Sequence, residues 1–142
     1  MTDELTFVDT NILLYAHDRS AGVKREIAST VLADLWGTRL GVLSTQILQE
    51  FYVNATRKLP VPLAAPRARA IVGRYATWPV HRIEPNDVID ASRLEKRHRL
   101  SFWDALVVIA AARNGASRLL TEDLQDGREL IGVRIENPFR DR

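Results

Sequence analysis

Short apolar runs at residues 5–8, 41–43, 80–83, 119–120 and 133–135 have the length of buried strands. The stretches between them carry a helical period instead. Val23, Ile27, Val31, Leu32 and Leu35 fall on one face of a helix spanning 20–36, which Gly37 is expected to stop. Ser44 is placed to cap a second helix that runs to about Lys58, and Pro60-Val61-Pro62 breaks the chain before a third over 63–76. Pro85 suits the first turn of a fourth helix reaching about Arg97. Residues 101–112, with Gly115 just beyond, form the most apolar helix of all, and residues 12–17 are too short for a major one. Helices alternating with short strands predict an α/β fold with a central, mainly parallel sheet of about five short strands flanked by helices.

At 142 residues and 46% hydrophobic content, the chain suits a single domain, residues 1–142, with a real core. It has no cysteine, so disulfides and thiolate-held metals are excluded, and a cytoplasmic location is expected. The acidic start Met1-Thr2-Asp3-Glu4 is unlike a signal peptide, and no apolar run nears the roughly 20 residues of a membrane span. No membrane partner is expected. The net charge is only +2, but of the 20 basic residues all except Lys24, Lys58 and Lys96 are arginine. Arginine forks onto phosphates, which mildly favours a phosphate-bearing partner, although arginine-rich codon usage explains the bias equally well.

The candidate chemistry lies in carboxylates at strand ends. Parallel sheets collect ligands beyond the carboxyl ends of their strands, at the switch point where strand order reverses. Asp9 directly follows the first strand, between two apolar runs where an unpaired carboxylate is costly. Thr121, Glu122 and Asp123 follow the fourth strand, Asp104 sits in the first turn of the most apolar helix, and Glu50 lies two turns into the helix after strand two. Each has a structural explanation taken singly. Ser101 and Asp104 fit an N-cap with an acidic third position, Glu50 a solvated helix margin, and residues 121–123 a turn. Converging carboxylates, however, repel one another unless a cation neutralises them, and no lysine or histidine stands in these segments. A hard divalent cation, Mg²⁺ or Mn²⁺, is the natural partner and commonly serves phosphoryl chemistry.

Four segments in order resemble the acidic motifs of PIN-domain nucleases: Phe7-Val8-Asp9-Thr10-Asn11-Ile12-Leu13, Ser44-Thr45-Gln46-Ile47-Leu48-Gln49-Glu50-Phe51, Ser101-Phe102-Trp103-Asp104-Ala105-Leu106 and Leu120-Thr121-Glu122-Asp123-Leu124. The resemblance spans almost the whole chain, and its compact size is similar to the toxin of a VapBC toxin-antitoxin pair. It implies a PIN-like fold, an Mg²⁺- or Mn²⁺-dependent endoribonuclease, a VapB-like antitoxin that holds it inactive, and a homodimer. It also implies that Asp9, Glu50, Asp104 and Asp123 are the catalytic and metal-binding acids, supported by Asn11 and Thr121. Asp123 is preferred to Glu122 and Asp126 because it stands two residues after the threonine.

For RNA grip, residues 93–99 form the best basic cluster, and Arg19, Lys24 and Arg25 a weaker one; a solvated helix end accounts for the first equally well. Trp36, Trp78 and Trp103 are expected in the core or at a dimer face. His17, His81 and His98 lack metal-ligand spacing and are expected to be structural or surface residues. Two other α/β classes fit less well. A signalling receiver domain wants paired acids at the first strand and a late lysine, whereas the last lysine is Lys96. A phosphatase of the haloacid dehalogenase type wants an aspartate where Asn11 stands. A catalytically silent RNA-binding or scaffold module is the remaining alternative, and clustered negative charge without metal argues against it.

Overall fold

The fold is described from a computed structural model over residues 4–140. Its strands are short and mostly sealed: β1 (Thr6–Val8), β2 (Gly41–Ser44), β3 (Val80–His81), β4 (Arg118–Leu120), β5 (Glu129–Leu130) and β6 (Val133–Glu136). The helices are α1 (Thr10–Ala16), α2 (Val23–Thr38), α3 (Thr45–Arg57), α4 (Ala65–Tyr75), α5 (Pro85–His98) and α6 (Phe102–Arg113). Strands covered by helices on both faces need apolar side chains throughout, which is why β1 and β2 read as continuous apolar runs.

The six strands form one sheet in the order β3-β2-β1-β4-β6-β5, with β5 alone antiparallel. From β1 the chain works outward through β2 and β3, then returns to the other side of β1 with β4. The switch point therefore lies between β1 and β4. Val8 is in register with Leu120, so Asp9 and Thr121 leave the sheet side by side, and the Asp9 N–H donates to the Leu120 carbonyl at 3.0 Å.

Helix α6 explains its own composition. Ala105 through Ala111 are all buried, because α5 lies on one side of the helix and β2, β4 and β6 on another. Small alanines permit that close approach, and Asn114 at its end donates to the Leu43 carbonyl at 2.8 Å. Gly41 has a comparable reason: a Cβ there would run into the Trp78 ring. Trp78 is buried and makes edge contacts with Trp36 and Tyr75 at ring separations of 5.1 and 5.0 Å.

Several boundaries differ from the sequence expectation. Gly37 does not stop α2, which continues to Thr38 and ends when Arg39 turns left-handed at φ 62°. Ser44 occupies the N-cap of α3, but its side chain makes no capping bond and its hydroxyl is buried without a partner among the described residues. The sheet also gains β5, which pairs with β6 through the two-residue turn Ile131-Gly132, both at positive φ (43° and 82°). Paired positive φ values give the turn the twist an antiparallel hairpin requires. Among the described residues no helix is long and apolar enough to cross a membrane.

Candidate metal centre

Asp9 is the N-cap of α1. Its Oδ1 accepts from the Thr10 N–H and its Oδ2 from the Thr121 hydroxyl, each at 2.7 Å. The Thr121 oxygen in turn accepts from the Asp123 N–H at 3.1 Å. One hydroxyl thus bridges the switch point and fixes the start of the loop that carries Asp123. Asp104 arrives from α6, where its N–H donates to Ser101 Oγ at 3.0 Å. The capping role expected of Ser101 is real, and it orients the turn that brings Asp104 to the same place. Carboxylate oxygens of Asp9, Asp104 and Asp123 lie within 4.8 Å of one another.

Glu50 lines the same cleft, of about 300 Å³, but stands beside the triad. Its Oε1 accepts from the Thr10 hydroxyl at 2.6 Å and its Oε2 from the Gln46 amide at 3.2 Å. Two groups of Thr10 therefore hold two acids, the backbone N–H on Asp9 and the hydroxyl on Glu50. A larger hollow of about 570 Å³ at the start of β2, beside Trp36 and Trp78, has no carboxylate in its walls.

The other two acids of the fourth segment are engaged elsewhere. Glu122 is gripped by Lys24 and the Tyr15 hydroxyl. Burial opposes its ionisation, but those partners outweigh it and hold its carboxyl below the usual range. Asp126 accepts from the Asn137 N–H at 2.8 Å and pairs with Arg140 at 3.7 Å. Asp123 alone of the three faces the cleft.

Electrostatics mark the triad as incomplete. Burial pushes Asp9 up to about 7; its bonds to Thr121 and Thr10 resist this, and the charges of Asp123 and Glu50 add to it. Asp104 is raised by burial too, against its contact with Ser101, and further by Asp123 and Glu50. Among the described residues no lysine or arginine lines the cleft. Three hard oxygens within 4.8 Å, repelling and unneutralised, fit a divalent cation, whose ligand bonds of about 2.0–2.6 Å can span that gap.

Asn11, expected to support the acids, makes no hydrogen bond to Asp9 among the described residues. It lines the cleft, but both of its side-chain polar atoms are buried without a partner among the described residues, and Thr10 and Thr121 hold Asp9 instead. Thr10 and Gln46 were missed by the sequence reading; Gln46 lies four residues before Glu50, a helical spacing that could have revealed it. Trp103 is neither core nor sealed: it is 62% exposed at the cleft mouth. No histidine lines the cleft. His17 packs edge-on to Phe51 and is lowered to about 4, first by burial and then by Arg67, Arg74 and Arg25. His81 pairs with Asp87 at 2.8 Å, and His98 sits against Arg128. In the basic cluster, Arg93 pairs with Asp90 and Arg99 caps α5, the behaviour of a helix end.

Fold and site together define an open, mostly parallel α/β protein with a carboxylate-lined cleft at its switch point. The chain belongs to the PIN domain family, whose sequence pattern matches residues 6–125. No curated protein matches it by sequence. Solved structures share its fold at low identity. A toxin-antitoxin complex from Klebsiella pneumoniae is 19% identical, with 96% of this chain and 99% of that chain covered and a TM-score of 0.71. A DNA-bound VapBC from Salmonella typhimurium is also 19% identical, over 94% and 97%, with a TM-score of 0.64. VapC20 of Mycobacterium tuberculosis, a sarcin-ricin loop cleaving toxin, is 19% identical over 80% and 86%, with a TM-score of 0.61.

Proposed function

We propose that this PIN-domain protein is a metal-dependent endoribonuclease and the toxin of a VapBC-type pair. The observation that carries this reading is the triad Asp9, Asp104 and Asp123, three carboxylates held together at the switch point with no cationic side chain among them. Asp9, Asp104 and Asp123 would hold Mg²⁺, with Mn²⁺ able to substitute, and Glu50 would complete the acidic set. A bound divalent ion lowers the pKa of water and offsets charge on the phosphate undergoing attack. Asp9 must release its proton before it can bind, and Thr121 and Thr10 keep its two oxygens in place as it does so. Glu50, fixed by Thr10 and Gln46, retains acceptor capacity to orient water in the cleft. The PIN neighbours described as toxin-antitoxin and VapBC complexes support a VapB-like antitoxin as partner, and the family resemblance supports a homodimer.

Incubation with mixed RNA tests this reading. Fragments bearing 5′-phosphate and 3′-hydroxyl ends are expected with Mg²⁺ or Mn²⁺ and none with EDTA. RNA retained without cutting, whatever the metal, would instead identify a binding module.

A further inference from the structure

A second groove, of about 410 Å³, runs from the acidic cleft along α3. The two share Gln46, Glu50, Asn54 and Trp103, so they are one continuous depression with an acidic end and an open end. Trp103 stands where they meet. Its neighbour in sequence is the triad residue Asp104, its backbone carbonyl accepts from Gln46 at 3.3 Å, and its ring touches Phe102 edge-on at 5.2 Å. A lone exposed indole is unremarkable on a protein surface. Here the Gln46 amide that donates to Glu50 also donates to the backbone carbonyl of Trp103, so the turn that carries the indole is tied to the acids. The same groove is lined by Val53 and the amides of Gln49 and Asn54 from α3, and by Lys58 at its C-cap. Among the described residues Lys58 has no carboxylate partner.

These chemistries match the parts of a nucleotide. An indole offers a stacking face to any base, amides can meet a base edge, and a free ammonium suits the next phosphate. We propose that Trp103 is the stacking platform for the base flanking the scissile phosphate. Stacking on one face requires a base splayed out of its helix, so duplex RNA is excluded from the groove. The proposal rests on the ribonuclease reading above.

Its test uses Trp103→Ala and Trp103→Phe in the full chain, with Asp9→Asn as the non-cleaving background for binding. A single-stranded oligoribonucleotide should quench a fluorescence component that vanishes in Asp9→Asn/Trp103→Phe, and its duplex should not. In cleavage, Trp103→Ala should raise KM roughly five- to hundredfold with kcat nearly unchanged, and Trp103→Phe should restore most of the loss. Quenching that does not depend on Trp103, equal quenching by duplex, or an unchanged KM overturns the proposal. An indole indifferent to RNA but buried on co-purification with the antitoxin overturns it too, in favour of a protein ledge. If Trp103→Ala does not fold, the quenching and the phenylalanine variant still decide. Wild-type protein that cuts no RNA strikes the ribonuclease reading, whereas cleavage without Trp103 quenching strikes only the platform.

Discussion

Asp9 and Asp87 are both nearly sealed from solvent, at 5% and 1% exposure, yet their surroundings drive them in opposite directions. Burial raises both. At Asp87 it is overcome by the Glu84 N–H at 2.7 Å, the Arg113 guanidinium and His81, which hold the carboxyl below its usual range. At Asp9 two neutral donors are all the chain supplies, and further carboxylates make the balance worse. A buried acid whose partners are complete ties β3, α5 and α6 together. A buried acid whose partners are missing a charge is held ready for something the chain does not encode.

The sharpest way to break this contrast is Asp9→Asn. Asparagine can keep the Thr10 and Thr121 bonds with the hydroxyl reoriented, so cleavage should be lost while the melting temperature of metal-free protein at pH 8 holds or rises. Retained metal-dependent cleavage would remove Asp9 from the reaction. Asp87→Ala should do the reverse. It strands Arg113 and His81 and abolishes the capping box of α5, costing about 3 kcal/mol in denaturant unfolding, with cleavage preserved where the variant is folded.

Acidity separates the two aspartates next. Asp9 binds its proton more tightly folded than unfolded, so its contribution to metal-free stability is full below about pH 4 and is lost as pH rises through about 7. On the proposed reading, Mg²⁺ at Asp9 would compete with that proton. The melting-temperature increment from Mg²⁺ should therefore grow between pH 6 and 8 and then level, with affinity falling about tenfold per unit below 7. Asp87, lowered, contributes stability above the ordinary carboxylate pKa that is lost only as pH falls through its depressed folded value. A Mg²⁺ increment insensitive to pH would contradict the assignment of Asp9. The smallest expected effect is that of Lys24→Met, which releases Glu122. This partly exposed pair should change stability by less than about 1 kcal/mol, but Mg²⁺ titration should show altered affinity if Glu122 then competes with Asp123 for the cleft.

Much of this was readable from residue order. Asp9, Asp104 and Asp123 each follow a strand end or open a helix, and parallel topology brings such places together. Asp123 was chosen among the acids of 122–126 only from its spacing after Thr121 in the family pattern; the physical reason that Glu122 turns away, its capture by Lys24 and Tyr15 from far earlier in the chain, is invisible in the local sequence. The hairpin of β5 escaped for a local reason. Ile131 stands at φ 43°, a conformation that β-branched residues disfavour, in place of the Asn or Asp that normally announces such a turn. Trp103 was expected in the core or at a dimer face; residue order alone does not separate the two, and the structure leaves it 62% exposed beside the cleft.

The hydroxyl of Thr121 joins residue 9 to residue 123, and that span has a consequence for a growing chain. Until β4 has emerged from the ribosome and paired with β1, Asp9 has neither its bridging donor nor Asp123 beside it. A nascent or truncated chain ending before that point has no complete acidic site, so Asp9, Asp104 and Asp123 come together only after residue 123 has been made and β4 has joined the sheet.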